Sequence, residues 1–203
     1  MPQRGPNKQW ARRSGRRVLD ASCAHSIKQQ LDGRFVLFIG MMGCGKSLMG
    51  RMLASELGLP FLDLDHEAEA AAGLTISEIF GSYGQAEFRR LEERIFSRLI
   101  GGGQSVISLG GGTWLSEEVR QQARHKAVTV WLDTPLEVLV RRTAHRSHRP
   151  LLAGESAASS LADLLNERLP IYRLADLPVA LGDQSPRAAL NKVTLELNSW
   201  LGS

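Results

Sequence analysis

Cysteine is scarce in this chain: 203 residues hold two, Cys23 and Cys44. So few exclude a disulfide framework, and Cys44 sits inside a glycine-rich stretch where a crosslink would obstruct a ligand, so a reducing, cytoplasmic setting is expected. Long hydrophobic runs are missing too. None approaches the roughly 18 to 20 apolar residues a membrane-spanning helix needs, which argues against a membrane role. A zinc pattern is also lacking: of five histidines, His145 and His148 stand at helical spacing, but no cysteine or acidic residue flanks them as co-ligand. No internal repeat occurs, and no acidic residue precedes Asp20.

The chain carries a net charge of +4, and its distribution decides what that means. Residues 1–34 hold eight Lys or Arg against two Asp, a local +6, leaving 17 basic and 19 acidic residues in the rest. Basicity therefore belongs to the N-terminal segment, and the remainder gives no reason to expect a nucleic-acid partner. Rich in Arg, Gly, Ser and Gln, residues 1–33 read as a flexible basic extension outside the core. An organelle-targeting peptide and an RNA-binding arm are the alternatives for it.

With 43% hydrophobic residues, the rest suffices for one well-cored domain, residues 34–203. From Phe35 short apolar runs alternate with longer amphipathic stretches, as when helices cross between parallel strands. Strands are expected at Phe35–Ile39, Pro60–Leu62, Ser105–Leu109, Val128–Leu132 and Leu177–Leu181. Helices are expected at Lys46–Leu57, Ile76–Phe80, Gln85–Ile100, Glu117–His125, Leu136–Thr143, Ala158–Leu174 and Arg187–Leu201. The fold class is α/β: a three-layer sandwich around a five-stranded parallel sheet. Between Ala144 and Ser160 periodicity fades, which suggests a mobile loop of the kind used as an active-site lid.

Directly after the first strand comes Gly40-Met-Met-Gly43-Cys44-Gly45-Lys46-Ser47, matching G-x-x-x-x-G-K-[ST]. Such a loop binds phosphate because its glycines let the backbone close on anionic oxygens, while amides and a helix N-terminus supply oriented positive potential. Lys46 is placed to reach the transferable phosphates, and the Ser47 hydroxyl to ligate a magnesium ion. Cys44 reads as a small filler at a variable position. This motif is shared by switches, motors and kinases, so the reaction must be read elsewhere.

Phe61-Leu-Asp63-Leu-Asp65 ends the second expected strand with two carboxylates two residues apart, a spacing that would turn both to one face of the strand. One could hold magnesium and its waters while the other orients or deprotonates an attacking hydroxyl. A solvated strand end is the plain alternative. Arg89 and Glu92, three apart on an expected helix, could pair, leaving a guanidinium fork suited to a carboxylate ligand.

The phosphate loop, Asp63-x-Asp65, Phe88-Arg89-x-x-Glu92, Gly110-Gly111-Gly112 and Arg149-Pro-Leu-Leu, in this order and at these spacings, resemble shikimate kinase from about Phe35 to the C-terminus. The resemblance implies a P-loop kinase of the nucleoside monophosphate kinase-like fold that transfers the γ-phosphoryl group of ATP to the 3-hydroxyl of shikimate, a step towards chorismate and the aromatic amino acids. It implies one Mg2+ per subunit, with Ser47 and Asp63 as its protein contacts, and a monomer. Gly43, Cys44, Gly45, Lys46, Ser47 and Leu48 would line the ATP site; Arg142 would stack on adenine, with Pro186 on the other face. Asp65, Arg89, Gly110, Gly111, Gly112 and Arg168 would bind shikimate, the two arginines on its carboxylate. Lys46, Asp65 and the lid residue Arg149 would be catalytic. The stretch Ala180-Leu-Gly-Asp-Gln-Ser departs from the family pattern, with Ala180 where an aspartate is common. A kinase for another small acceptor, gluconate or a nucleoside monophosphate, and a catalytically idle homologue are the competing readings. For Arg168 the sequence by itself favours a surface pairing with Glu167 or Asp163.

Overall fold

The computed structural model describes residues 19–144 and 157–203. Chain order runs α1 (Ala21–Leu31), β1 (Phe35–Ile39), α2 (Lys46–Leu57), β2 (Phe61–Asp63), α3 (Leu64–Ala72), α4 (Ile76–Leu99), β3 (Val106–Ser108), a 3-10 turn (Thr113–Leu115), α5 (Glu117–Ala123), β4 (Ala127–Asp133), α6 (Leu136–Thr143), α7 (Ala157–Tyr172), β5 (Leu177–Ala180) and α8 (Pro186–Leu201).

The five strands form one parallel sheet in the order β2-β3-β1-β4-β5. β1 is central and buried at every position, which is why its sequence is uninterrupted Phe-Val-Leu-Phe-Ile. α1, α2 and α8 pack against one another, while α3 packs on α4, α4 on α5, and α6 on α7. From β1 the chain crosses to edge strand β2 and returns to β3 on one side, then passes to β4 on the other. The carboxyl ends of these strands therefore flank a crevice, the place where open α/β sheets bind ligands.

Three differences from the sequence expectation have physical causes. The extension expected over residues 1–33 is shortened by α1, whose Ala24, Ile27 and Leu31 are buried on one face. Asp20 caps it by accepting from the Cys23 amide at 2.7 Å. Residues 1–18 lie outside the described residues. The two helices expected around residues 76–100 run together as α4, bent at Gly84, whose φ of +78° only glycine adopts at low cost. Thr75 and Glu78 form a reciprocal cap that fixes its start.

The third difference bears on the site. The strand expected at Pro60–Leu62 ends at Asp63, and Leu64 already begins α3, so Asp63 and Asp65 do not alternate along one strand. Asp65 and Glu67 stand in the first helical turn, where the helix dipole favours acidic side chains. α7 starts at Ala157, and residues 145–156 of the stretch expected as a loop lie outside the described residues.

Candidate active site

The phosphate motif folds as a wrap around the carboxyl end of β1. Gly40, Gly43 and Gly45 all have positive φ, and α2 opens at Gly45 with no side-chain cap, which leaves its first-turn amides to an anion. Gly43 must be glycine twice over: its φ is +84°, and a Cβ there would stand 2.8 Å from Thr143 Cγ2 of α6. Lys46 Nζ donates to the carbonyls of Gly40 and Met41 at 2.9 and 3.0 Å, so the ammonium lies folded against its own loop.

A cavity of about 460 Å³ spreads from this loop. It is lined by Gly43, Cys44, Gly45, Lys46, Ser47 and Leu48, and by Asp65, Gly111, Arg142 and Pro186 from four further parts of the chain. Arg142 Nη2 donates to the Gly182 carbonyl at 3.4 Å and lies 3.8 Å from Asp183, so its guanidinium is anchored to the loop before α8. Pro186 is the first residue of α8, where a missing N–H costs nothing, and Ser185 caps the helix. At the departure from the family pattern, Lys192 Nζ donates to the Ala180 carbonyl at 2.7 Å.

Asp63 does not line this cavity, yet its place is specific. It pairs in register with Ser108 of β3, and Ser108 Oγ lies 3.4 Å from Ser47 Oγ. Two hydroxyls thus meet beside the loop, and Asp63 stands on the strand next to one of them. Among the described residues no three His, Cys, Asp or Glu side chains cluster as a closed metal site. Hard oxygens in small number suit Mg2+, which keeps several waters and binds through few protein groups plus phosphate.

A smaller cavity of about 240 Å³ adjoins the glycine turn, lined by Arg89, Glu92, Gly112 and Thr113 among others. Glu92 is 1% exposed. Arg89 Nη1 and Thr113 Oγ1 both donate to its carboxylate, each through a short hydrogen bond. Burial pushes the Glu92 carboxyl above its ordinary range; the Arg89 charge and the two hydrogen bonds oppose that, and the nearby Asp65 charge adds to it. At Gly110 a Cβ would stand within 2.8 Å of Glu92 Oε1, Asp65 Oδ1 and Thr113 Oγ1, so only glycine lets these oxygens converge.

Arg168 is 4% exposed and forms none of the ion pairs seen among the described residues. The surface pairing with Glu167 or Asp163 is therefore overturned. Its Nη1 donates to the Gly111 carbonyl at 3.0 Å, and its Nε is buried without a hydrogen-bond partner among the described residues. A buried guanidinium nitrogen with no partner among the described residues, on an arginine bonded to the cavity-lining Gly111, is a candidate place for an anionic oxygen. Arg149 lies outside the described residues.

The structure thus brings the nucleotide-loop residues, Asp65, the glycine turn and two arginines to one end of the sheet. Sequence reasoning missed Ser108, Thr113 and Tyr172. Ser108 carried a usable signal, as a hydroxyl at the carboxyl end of a strand just before Gly110. Tyr172 carried none, because its partner lies 61 residues away.

The shikimate kinase family model matches residues 42–198. A shikimate kinase of Rhodopseudomonas palustris is 44% identical over 86% of this chain and 86% of its own length. One from Rhizobium leguminosarum bv. trifolii is 46% identical over 79% of this chain and 84% of its own. Among solved structures, the shikimate kinase of Acinetobacter baumannii in complex with shikimate superposes with a TM-score of 0.77 at 34% identity, covering 82% of this chain and 94% of that one. A gluconokinase from Sinorhizobium meliloti, at 18% identity and a TM-score of 0.54, shares the fold. Matched over most of its length by the family model and by relatives well above 30% identity, the chain belongs to the shikimate kinase family.

Proposed function

We propose that this protein is a shikimate kinase, transferring the γ-phosphoryl group of ATP to the 3-hydroxyl of shikimate. The observation that carries the proposal is the juxtaposition of two differently built halves: a phosphate loop with Lys46, and a glycine turn flanked by the Arg89–Glu92 pair and by buried Arg168. Asp65 stands between them, lining the nucleotide cavity while its Oδ1 approaches Gly110.

In the proposed reaction the amides of residues 43–48 hold the β- and γ-phosphates. Lys46 exchanges its two carbonyl acceptors for phosphate oxygens, which costs little because the ammonium already lies in the loop. Arg89 and Arg168 grip the carboxylate of shikimate, and Asp65 accepts a hydrogen bond from its 3-hydroxyl. The hydroxyl oxygen bonds to the γ-phosphorus as the bond to the bridging oxygen breaks; ADP leaves and the proton passes to Asp65. One Mg2+ per subunit fits the oxygens of Ser47, Ser108 and Asp63, and when bound would neutralise charge on the phosphates. Arg142 and Pro186 are proposed to flank adenine. By resemblance alone, Arg149 is proposed to add positive charge at the transferring group.

The active unit is proposed to be a single chain, on the family resemblance. Among the described residues no helix is long and apolar enough to cross a membrane, and Cys23 and Cys44 are both free thiols; a cytoplasmic place belongs to the same proposal. Purified protein with ATP and Mg2+ should release ADP in proportion to added shikimate in a coupled assay. Equal ADP release with and without shikimate, or faster release with gluconate, would refute the assignment.

A further inference from the structure

Tyr172 closes α7 and is fully buried, its ring stacked on Trp131 with centroids 6.2 Å apart. A phenol hydroxyl at such depth must find an acceptor. It donates to the carbonyl of Gly111, and its oxygen also lies 3.7 Å from Met41 Sδ of the phosphate loop. The same Gly111 carbonyl accepts from Arg168 Nη1 at 3.0 Å. Arg168 and Tyr172 are four residues apart on one helix, so both project from the same face. A carbonyl oxygen has two lone pairs and satisfies both donors at once.

This shared acceptor constrains two objects. One is the peptide unit between Gly111 and Gly112: with its carbonyl turned to α7, its N–H points the opposite way, because the unit is planar and trans. The other is the Arg168 guanidinium, tethered through Nη1 while its buried Nε stays unpartnered among the described residues. Without the phenol, the Gly111 carbonyl would keep Arg168 as its one donor from α7 among the described residues; the next tie to that helix, Trp114 Nε1 donating to the Ile171 carbonyl at 3.2 Å, lies three residues further on. Glycines resist reorientation least of all residues.

Resting on the proposed function, and deepening it, we propose that Tyr172 is a positioning residue for the acceptor: through the Gly111 carbonyl it sets the glycine turn and aims Arg168 at the acceptor's carboxylate, and so governs affinity for shikimate and not for ATP. Burial pushes the Tyr172 phenol up to about 12, so the hydroxyl remains a donor throughout the working pH range. A tyrosine that only fills the core predicts something else. Its loss would soften the whole domain and weaken both substrates together.

The test is steady-state kinetics on the full chain carrying Tyr172→Phe, which removes one oxygen and keeps the ring. Loss of one hydrogen bond should raise the KM for shikimate about five- to tenfold. The KM for ATP should stay within about twofold, and the melting temperature should fall by only about 2–4 °C. In an Arg168→Ala background the added effect of Tyr172→Phe on the shikimate KM should shrink below about twofold, because both act on one carboxylate. Should Tyr172→Phe fail to fold, Tyr172→tetrafluorotyrosine keeps the shape but ionises at far lower pH; its shikimate KM alone should climb with pH. An unchanged shikimate KM, an equal rise for ATP, persistence of the full effect without Arg168, or a flat pH profile in the fluorinated protein would overturn the inference. If the unaltered protein shows no shikimate-dependent ADP release, the function and this inference fall together. If it turns over normally and only Tyr172→Phe is silent, the role of Tyr172 falls and the function stands.

Discussion

The two ends of the candidate cleft are built from different materials. At the proposed nucleotide end the groups on offer are mostly backbone, through positive-φ glycines and the open start of α2. At the proposed acceptor end they are side chains: Arg89 held by buried Glu92, Arg168 held by Gly111, and Thr113 donating to Glu92. A backbone cradle reads only phosphate, which every nucleotide shares. A cluster of oriented guanidinium groups reads one particular acid, and it needs buried partners to keep its shape. Generality at one end and selectivity at the other follow from that division.

Four experiments can break or sharpen this contrast. The largest effect is expected at the junction, where Asp65→Asn should lower kcat about 10²- to 10⁴-fold while binding of a fluorescent ADP analogue is retained. Lost nucleotide binding would show that Asp65 belongs to the phosphate end. Next, Arg89→Ala should raise the shikimate KM about 30-fold or more, since it removes one charge and strands the buried Glu92, with the ATP KM little changed. A matching rise in both constants would erase the distinction between the ends.

Far from either end, Ile27→Ala should destabilise the fold by about 2–4 kcal/mol in urea unfolding and leave both KM values alone, because Ile27 is fully buried in α1. A neutral result would return α1 to the extension. The smallest effect is a pH signature. Glu92 has its carboxyl raised in the folded state, chiefly by burial, so the folded protein binds that proton more tightly than the unfolded chain. Stability should therefore fall as pH rises from the ordinary carboxylate range through the raised value, since the folded state must give up a proton it favours. Melting curves across that range should flatten with Glu92→Gln, and an unaltered slope would place the titration elsewhere.

How much of this was legible depended on whether the signal was local. β1 and the phosphate loop announce themselves, because a buried parallel strand and a glycine wrap each need a particular short sequence. Arg89 and Glu92 were legible as an i,i+3 pair. Asp65 does line the cavity, but the strand argument for it fails: Phe61-Leu-Asp63-Leu-Asp65 alternates like a strand, yet the strand ends at Asp63 and the rest turns into α3. α1 was hidden because Ala24, Ile27 and Leu31 are its only buried positions in a polar stretch. Arg168 looked solvated beside Glu167, and its burial is created by the glycine turn arriving from 57 residues away. Tertiary contacts of that separation leave no pattern in a single sequence.

The central claim is that one cleft holds phosphate by backbone and a carboxylated alcohol by side chains. A crystal structure with ADP and shikimate bound tests it most directly. The account predicts the β-phosphate among the amides of residues 43–48, the shikimate carboxylate within hydrogen-bonding distance of Arg89 and Arg168, and its ring hydroxyls turned to Asp65. Shikimate bound away from Gly111, or with its carboxylate directed at Lys46, would contradict it.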